Sequence, residues 1–327
     1  MRFRRAGRRI ALLAIASLAL TGCGLLGGES SPSGSGEAQV SEIKVAVLPT
    51  MDTVPLHLAI ESGYFRQEGL DVKPITAASG SDCVTKLVNG EVQFAFSSWT
   101  PFFVAKAKQA ADIKLVADAT AAVPGYAVVA TMPNSPITSI GQLSGKKVAV
   151  TARLTISHLL VLTQLKSNGV DPSTVTFVEL PFPQMAERLS KGEIDAAFLV
   201  EPFIQQAVKQ VGARTLFDAT AGRASDIPLT GYGARADFVD GNRATVEKFQ
   251  RVLKRATDEV RSDRAKVDPL LEKIAKVDAE TARKTVLTDF VSTLDPAQIQ
   301  RVVDLMVEFK ALDQRIEVAE MVIRPQA

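Results

Sequence analysis

The chain has 327 residues, 46 % of them hydrophobic and 23 % charged, with 38 Lys plus Arg against 36 Asp plus Glu. These are the values of a globular protein and exclude a mainly disordered one, and the length predicts two domains at about 150 residues each. Five arginines (Arg2, Arg4, Arg5, Arg8 and Arg9) precede any acidic residue. Without them the formal charge of +2 becomes −3, which excludes nucleic acid as the main partner because phosphate backbones need a concentrated basic face.

Residues 1–22 join that basic stretch to an apolar run from Ile10 to Leu20. The run is too short for a bilayer core, which takes about 20 residues, and has the parts of a secretory signal. Leu20-Thr21-Gly22-Cys23 resembles the lipobox of bacterial lipoproteins, in which the Cys is lipidated and becomes the first mature residue; the alternative is an ordinary signal with an incidental Cys. Residues 24–41 contain five Gly and five Ser without hydrophobic periodicity, a flexible tether reaching roughly 20–25 Å. The expectation is an exported protein held to the membrane by lipid at Cys23. With that residue modified, Cys83 is the one remaining thiol, so neither an internal disulfide nor a Cys-cluster metal site is expected.

From Glu42 the elements alternate. "EIKVAVL" reads as a strand, and "VPLHLAIESGYF" as a helix with Pro55 in its first turn and Gly63 near its end. "LDVKPIT" is a second strand, "SDCVTKLVNG" a helix opened by Ser81 or Asp82 and closed by Gly90, and "VQFAFS" a third strand. The same order then returns: "KKVAV", a helix from about Thr155 to Ser167, "TVTFVEL", a helix through "QMAERLSK" and the strand "IDAAFLV". Parallel sheets flanked by helices follow from this alternation. "YAVVAT" leads into the second unit, "PLTGYGAR" leads out of it, and beyond Gly241 the chain is helical to about Leu312. That tail is expected to pack on the first unit.

The repetition extends to individual residues. Leu87, Gly90, Glu91, Val92, Ala95 and Phe96 return as Leu189, Gly192, Glu193, Ile194, Ala197 and Phe198, 102 positions later. Lys44–Val47 recurs as Lys147–Val150, Gly69-Leu70-Asp71 as Gly169-Val170-Asp171, and Pro101-Phe102 as Pro202-Phe203. The pair His57 and His158 also matches, and equivalent positions of two repeats are better read as packing residues than as a metal site. Two copies of one unit imply a cleft between them. Ligands of such sheets sit beyond the carboxyl ends of the strands, which here are Thr50–Thr53, Ser79–Asp82 and Ser97–Thr100 in the first copy. In the second they are Thr151–Thr155, Pro181–Pro183 and Val200–Pro202. Their hydroxyls suit polar ligands, although many also serve as helix caps.

Four stretches, "PLHLAIESGYFRQEGLDV", "LVNGEVQFAF", "SIGQLSGKKVAV" and "VDPSTVTFVELPFPQMAERLSKGEIDAAFLVEPF", resemble the substrate-binding components of ABC importers for nitrate, sulfonates, taurine and thiamine-pyrimidine precursors. The resemblance spans about residues 42 to 235. It implies an α/β, two-lobe periplasmic-binding-protein fold of type II, each lobe a mainly parallel sheet flanked by helices, with two hinge strands and a helical C-terminal tail. The expected division is a signal over 1–22, lipidated Cys and linker over 23–41, lobe one over 42–130 and 232–327, and lobe two over 131–231. The implied partners are a small solute, a permease with its ATPase, and the membrane through the lipid. The protein is expected to act as a monomer, with no cofactor, no metal and no catalysis.

Candidate ligand residues follow from the loops. In lobe one they are Asp52, Thr53, Ser79, Ser81, Ser98, Trp99 and Thr100, and in lobe two Arg153, Thr155, Phe182 and Glu201. Asp52 and Glu201 favour amines or hydroxyls, whereas Arg153 forks onto a sulfonate or carboxylate; Arg153 and Glu201 could instead pair with each other. Trp99 and Phe182 could stack on a planar ring or be core. The family also includes fungal pyrimidine synthases that consume their own His and carry a Cys-rich iron-binding motif. His57 raises that possibility and the absence of the motif weakens it. A non-transport sensor lipoprotein is a further alternative. Gly231-x-Gly233-x-x-Ala236 imitates a dinucleotide fingerprint, but "DFVDGN" rather than a helix is expected to follow it, and it is better read as a hinge strand passing close to something else. No Gly-x-Ser-x-Gly elbow or P-loop is present.

Overall fold

The computed structural model describes residues 41–323; the signal, Cys23 and nearly all of the tether lie outside them. The first copy contains β1 (Ser41–Val47), α1 (Val54–Glu61), α2 (Tyr64–Gln67), β2 (Leu70–Thr76), α3 (Gly80–Val88), β3 (Phe94–Ser98), α4 (Trp99–Ala107) and β4 (Ile113–Ala121). The second contains β5 (Ala127–Thr131), β6 (Lys147–Val150), α5 (Ile156–Ser167), β7 (Thr176–Glu179), α6 (Phe182–Ser190), β8 (Ala196–Val200), α7 (Phe203–Val211) and β9 (Arg214–Asp218). After these come β10 (Pro228–Arg235), α8 (Ala236–Gly241), α9 (Arg243–Ser262), α10 (Asp268–Ala275), α11 (Ala279–Lys284), β11 (Asp289–Phe290) and α12 (Pro296–Glu308).

The duplication seen in the sequence is a duplication of topology. Sheet one runs β11-β4-β10-β3-β1-β2 and sheet two runs β7-β6-β8-β5-β9. In each, one strand, β1 or β6, pairs in parallel with two others, and the registers correspond: Val45 faces Phe94 and Ala46 faces Ala95, while Val148 faces Ala196 and Ala149 faces Ala197. Each sheet then takes in one antiparallel strand that has crossed from the other, β10 between β3 and β4 and β5 between β8 and β9. Glycines recur where the chain must turn left-handed: Gly69 and Gly169 have φ of 75° and 74°, and Gly90 and Gly192 have 76° and 68°. At such angles a Cβ would crowd the backbone.

Four expectations need adjustment. The crossings run through residues 122–126 and 219–227, so Ala127–Ala130 belong to sheet two and Pro228–Gly231 to sheet one. A strand's partners, which decide this, leave little trace in its own residues. The helix expected over "VPLHLAIESGYF" breaks at Gly63, with φ of 72°, into α1 and α2, and α3 is capped by Ser79, whose Oγ accepts from Asp82 N at 3.2 Å. The tail packs on both lobes. Phe249 of α9 stacks on Phe94 at 4.1 Å and Phe65 at 5.5 Å in lobe one. Asp278, capping α11, pairs with Lys209 of α7 at 2.9 Å, and Glu308 of α12 pairs with Lys166 of α5 at 3.0 Å and with Arg223 at 2.6 Å.

Against expectation, a helix (α8) does open at Ala236 behind Gly231 and Gly233, but the glycines of β10 are there for close approach. A Cβ on Gly231 would lie 2.0 Å from Trp99 Cη2 and 2.7 Å from Ala117 O, and one on Gly233 would lie 2.5 Å from Phe102 Cε1. Trp99 and Phe102, both fully buried, thus pack against the strand that carries the chain back from lobe two. Gly231→Ala drives a methyl into backbone as well as side chain, and is expected to destabilise the fold by about 3 kcal/mol. Chemical denaturation measures this, with Ala234→Gly, at a site already bearing a Cβ, as the comparison.

Candidate functional site

The ends of β1, β3, β6 and β8 and the first turns of α3 and α5 converge between the lobes. Lobe one contributes Leu48, Thr50, Asp52, Gly80, Phe96 and Ser98 to the cleft, and lobe two contributes Thr151, Thr155, Ile156, Ser157, Phe182, Phe198 and Val200. Tyr126, Ala127, Leu229 and Thr230 line it from the crossings and the strands they enter. The free space is about 50 Å³, room for a few waters at most. Ile156 N donates to Ser98 Oγ across the cleft at 3.3 Å. The lobes are therefore shut on each other, and a solute enters only when they part.

Asp52 organises the lobe-one side. It is 3 % exposed and lies on a 3-10 turn between β1 and α1. Its Oδ1 accepts from Thr120 Oγ1 at 2.6 Å and Thr230 Oγ1 at 3.1 Å, and its Oδ2 accepts from Tyr126 OH at 2.7 Å. Tyr126 stands in the first crossing, and Thr120 and Thr230 stand on β4 and β10, the sheet-one strands that flank the two crossings. Burial, with Asp52 and Glu201 adding to it, pushes the Tyr126 phenol well above its usual range, so it remains a donor. On lobe two, Thr151, Thr155 and Ser157 form a hydroxyl triangle with sides of 2.8–3.2 Å. The first-turn N–H groups of α3 and α5 have no partner within their own helices.

Four of the sequence candidates line the cleft: Asp52, Ser98, Thr155 and Phe182. Phe182 also stacks on Phe203 at 5.4 Å. The others stand elsewhere. Thr53 is buried, its hydroxyl donating to Thr50 O at 2.9 Å, Thr100 lies behind Ser98 at 3.3 Å, and Ser79 caps α3. Trp99 is core, against Gly231. Ser81 and Arg153 share a separate surface groove beside α3 and α4. Arg153 pairs with Glu179 at 3.7 Å and lies over Phe177, so the expected pairing with Glu201 does not form. Glu201 is fully buried; its Oε1 accepts from Gln205 Nε2 at 2.9 Å and Val286 N at 3.4 Å, its Oε2 has no partner, and burial raises its pKa.

Thr50 and Thr151 fall in the strand-end loops that the repeat marks, which is signal enough to find them. Tyr126 and Thr230 are cleft residues that no repeat or motif marks, because they lie where the two copies are joined.

The histidines serve packing. His158 is 9 % exposed, meets Phe177 edge-on at 4.5 Å, and accepts from Leu154 N at 3.4 Å. Burial, with Arg153 adding to it, pushes its pKa down to about 4. His57 is half-buried in α1, outside the cleft lining, and burial lowers its pKa against the pull of Glu61.

The sequence profile of the family described as NMT1/THI5 like matches residues 50–265, more than half of the chain. The chain belongs to this family. A Brachyspira hyodysenteriae protein, provisionally named an ABC transporter periplasmic binding protein, is 29 % identical over 203 residues, 58 % of this chain and 57 % of its own length. The yeast 4-amino-5-hydroxymethyl-2-methylpyrimidine phosphate synthase THI13 (Saccharomyces cerevisiae) is 26 % identical over 67 % of this chain, which spans 66 % of the synthase. A Bacillus subtilis protein provisionally named for binding aliphatic sulfonates is 24 % identical over 96 % of this chain and 93 % of its own. Among solved structures, the alkanesulfonate-binding protein SsuA of Xanthomonas axonopodis, bound to MOPS, superposes with a TM-score of 0.74 at 17 % identity, covering 87 % of this chain and 98 % of that one. The periplasmic-binding-protein architecture is thereby established.

Two outcomes follow. Tyr126→Phe leaves Asp52 Oδ2 without its donor and is expected to cost about 1.5–3 kcal/mol of stability at pH 7 by denaturant titration. Because His158 holds fewer protons folded than unfolded between pH 6.5 and about 4, stability falls as pH drops through that window, by up to about 3 kcal/mol. His158→Gln is expected to flatten that part of the curve.

Proposed function

We propose that the chain captures a small oxyanionic solute outside the cytoplasm and delivers it to an ABC importer. The observation that carries the reading is the cleft, in which two duplicated sheets present strand ends and helix starts to each other across hydroxyls and N–H groups. An oxyanion such as a sulfonate or nitrate accepts hydrogen bonds and offers none. That suits the helix N-termini at Gly80 and Ile156 and the hydroxyls of Thr50, Thr151 and Ser157. An amine is served less well, because both oxygens of Asp52 already hold donors. The name of the Bacillus relative supports the same class.

The solute docks on one lobe and the hinge closes the other over it, stabilised only by the difference in its affinity for the two forms. Lipid attachment at Cys23, action as a monomer, and contact with a permease and its ATPase belong to the same proposal, supported by the lipobox and tether in the sequence.

The yeast relative raises a second reading, a pyrimidine synthase. Its carriers weigh against it: His57 stands outside the cleft, and the sequence has two cysteines, of which Cys83 is buried with its thiol pushed far up by desolvation.

Thermal unfolding against taurine, alkanesulfonates, nitrate and aminopyrimidines tests the proposal. A ligand at 100 times its Kd adds about 2.7 kcal/mol, a rise of several degrees. Oxyanions are expected to produce it, and Thr151→Val to weaken their binding by about tenfold. A shift with aminopyrimidines alone would move the solute class to amines, and silence across the panel would contradict solute capture of this kind. Labelling with palmitate, abolished by Cys23→Ser, tests the anchor.

A further inference from the structure

A second cavity lies on lobe one, away from the cleft, where the outer edge of β4 is only partly covered. β11 pairs with β4 at Thr120 and Ala121, and Val322 bridges Leu115. Between them Val116–Asp118 form a floor, walled by α9 and residues 292–296. The space is about 390 Å³, within the range of small-molecule sites.

Two side chains of its lining, Asp118 and Gln250, carry buried acceptors short of donors. Gln250 is 8 % exposed; its Nε2 donates to Val116 O at 2.6 Å, and its Oε1 has no hydrogen-bond partner. Asp118 is 6 % exposed, and among the described residues its carboxylate receives one hydrogen bond, from Ala119 N at 2.9 Å. No Lys or Arg among them pairs with it. The cations at the rim are engaged elsewhere, Arg251 with Glu68 at 3.0 Å and Lys254 with Asp258 at 2.6 Å. Burial, reinforced by Asp289 and Asp295, pushes the Asp118 carboxyl well above its usual range, as follows for an acid with no cation beside it. Much of the remaining lining is apolar, including Leu253 and Leu294.

We propose that this cavity binds a small organic amine, its ammonium held by Asp118 and Gln250 Oε1 and its apolar part lying on Leu253 and Leu294. An ammonium has three donors and no acceptor, which complements two acceptors that lack donors. A sulfonate or phosphate would add acceptors and negative charge where both are in excess. A bare Ca²⁺ or Mg²⁺ takes six or more oxygens and gains nothing from the leucines. The inference is independent of the solute bound in the cleft.

The test is a titration of the chain with cyclohexylamine and with cyclohexanol, followed by amide ¹H–¹⁵N spectra. The expected result is saturable shifts at Val116–Asp118, Gln250–Thr257 and Ser292–Leu294 with cyclohexylamine, at a Kd of about 1 mM or tighter. Cyclohexanol is expected to bind at least about tenfold more weakly, a difference of one charge-assisted contact. Asp118→Asn is expected to remove that preference, and Leu294→Trp, which fills the cavity while sparing both acceptors, to abolish binding should Asp118→Asn not fold. Shifts confined to the cleft, equal binding of amine and alcohol, or unchanged amine binding in Leu294→Trp would overturn the proposal.

Discussion

Asp52 is buried where the end of β1 meets both segments that pass between the lobes, and its charge is met by hydroxyls alone. A carboxylate withdrawn from water is costly unless each oxygen is hydrogen-bonded. The donors that satisfy it come from Thr120 at the end of β4, Tyr126 at the entry to β5 and Thr230 on β10. Both crossings are thereby tied to one point of lobe one. The cleft wall and the hinge thus share a side chain, so movement of the hinge and the shape of the site are coupled through it.

Around that point the lobes are held together lightly. Among the described residues the polar contacts include one N–H to Ser98, one long bond from Val286 N to Glu201, Lys166 over the Phe309 ring, and ion pairs of half-exposed side chains from α7 and α5 to α11 and α12. Exposed pairs of this kind contribute about 0–1 kcal/mol each. The apolar packing that fixes lobe one, such as Trp99 on Gly231 and Phe249 on Phe94, lies within that lobe and is undisturbed by opening.

Much of this was legible in the sequence because duplication doubles every signal. A strand such as "KVAV" and a turn such as Gly90 or Gly192 each carry little alone, and a nearly constant offset binds them into one topology with its ligand loops. What the repeat could not convey is what joins the copies. The crossings fall four residues earlier than the strand patterns suggest, and Tyr126 and Thr230 have no counterpart to draw attention to them. Chemistry-bearing residue types misled in a consistent way. Trp99, Arg153 and Glu201 stand in the right loops, yet their side chains turn into the core, onto Glu179 and toward the tail, because a loop's position does not fix where its side chains point. The tail was read as an appendage of lobe one. The charges that carry α11 and α12 to lobe two look in sequence like an ordinary solvated face.

The central claim is that these lobes part to admit a solute and shut upon it. Small-angle X-ray scattering of the chain, alone and saturated with the most tightly bound oxyanion, tests it most directly. The account predicts a smaller radius of gyration with solute than without, and scattering that fits the shut arrangement only in the bound sample. An unchanged radius at saturation, with the free protein already fitting the shut form, would contradict it.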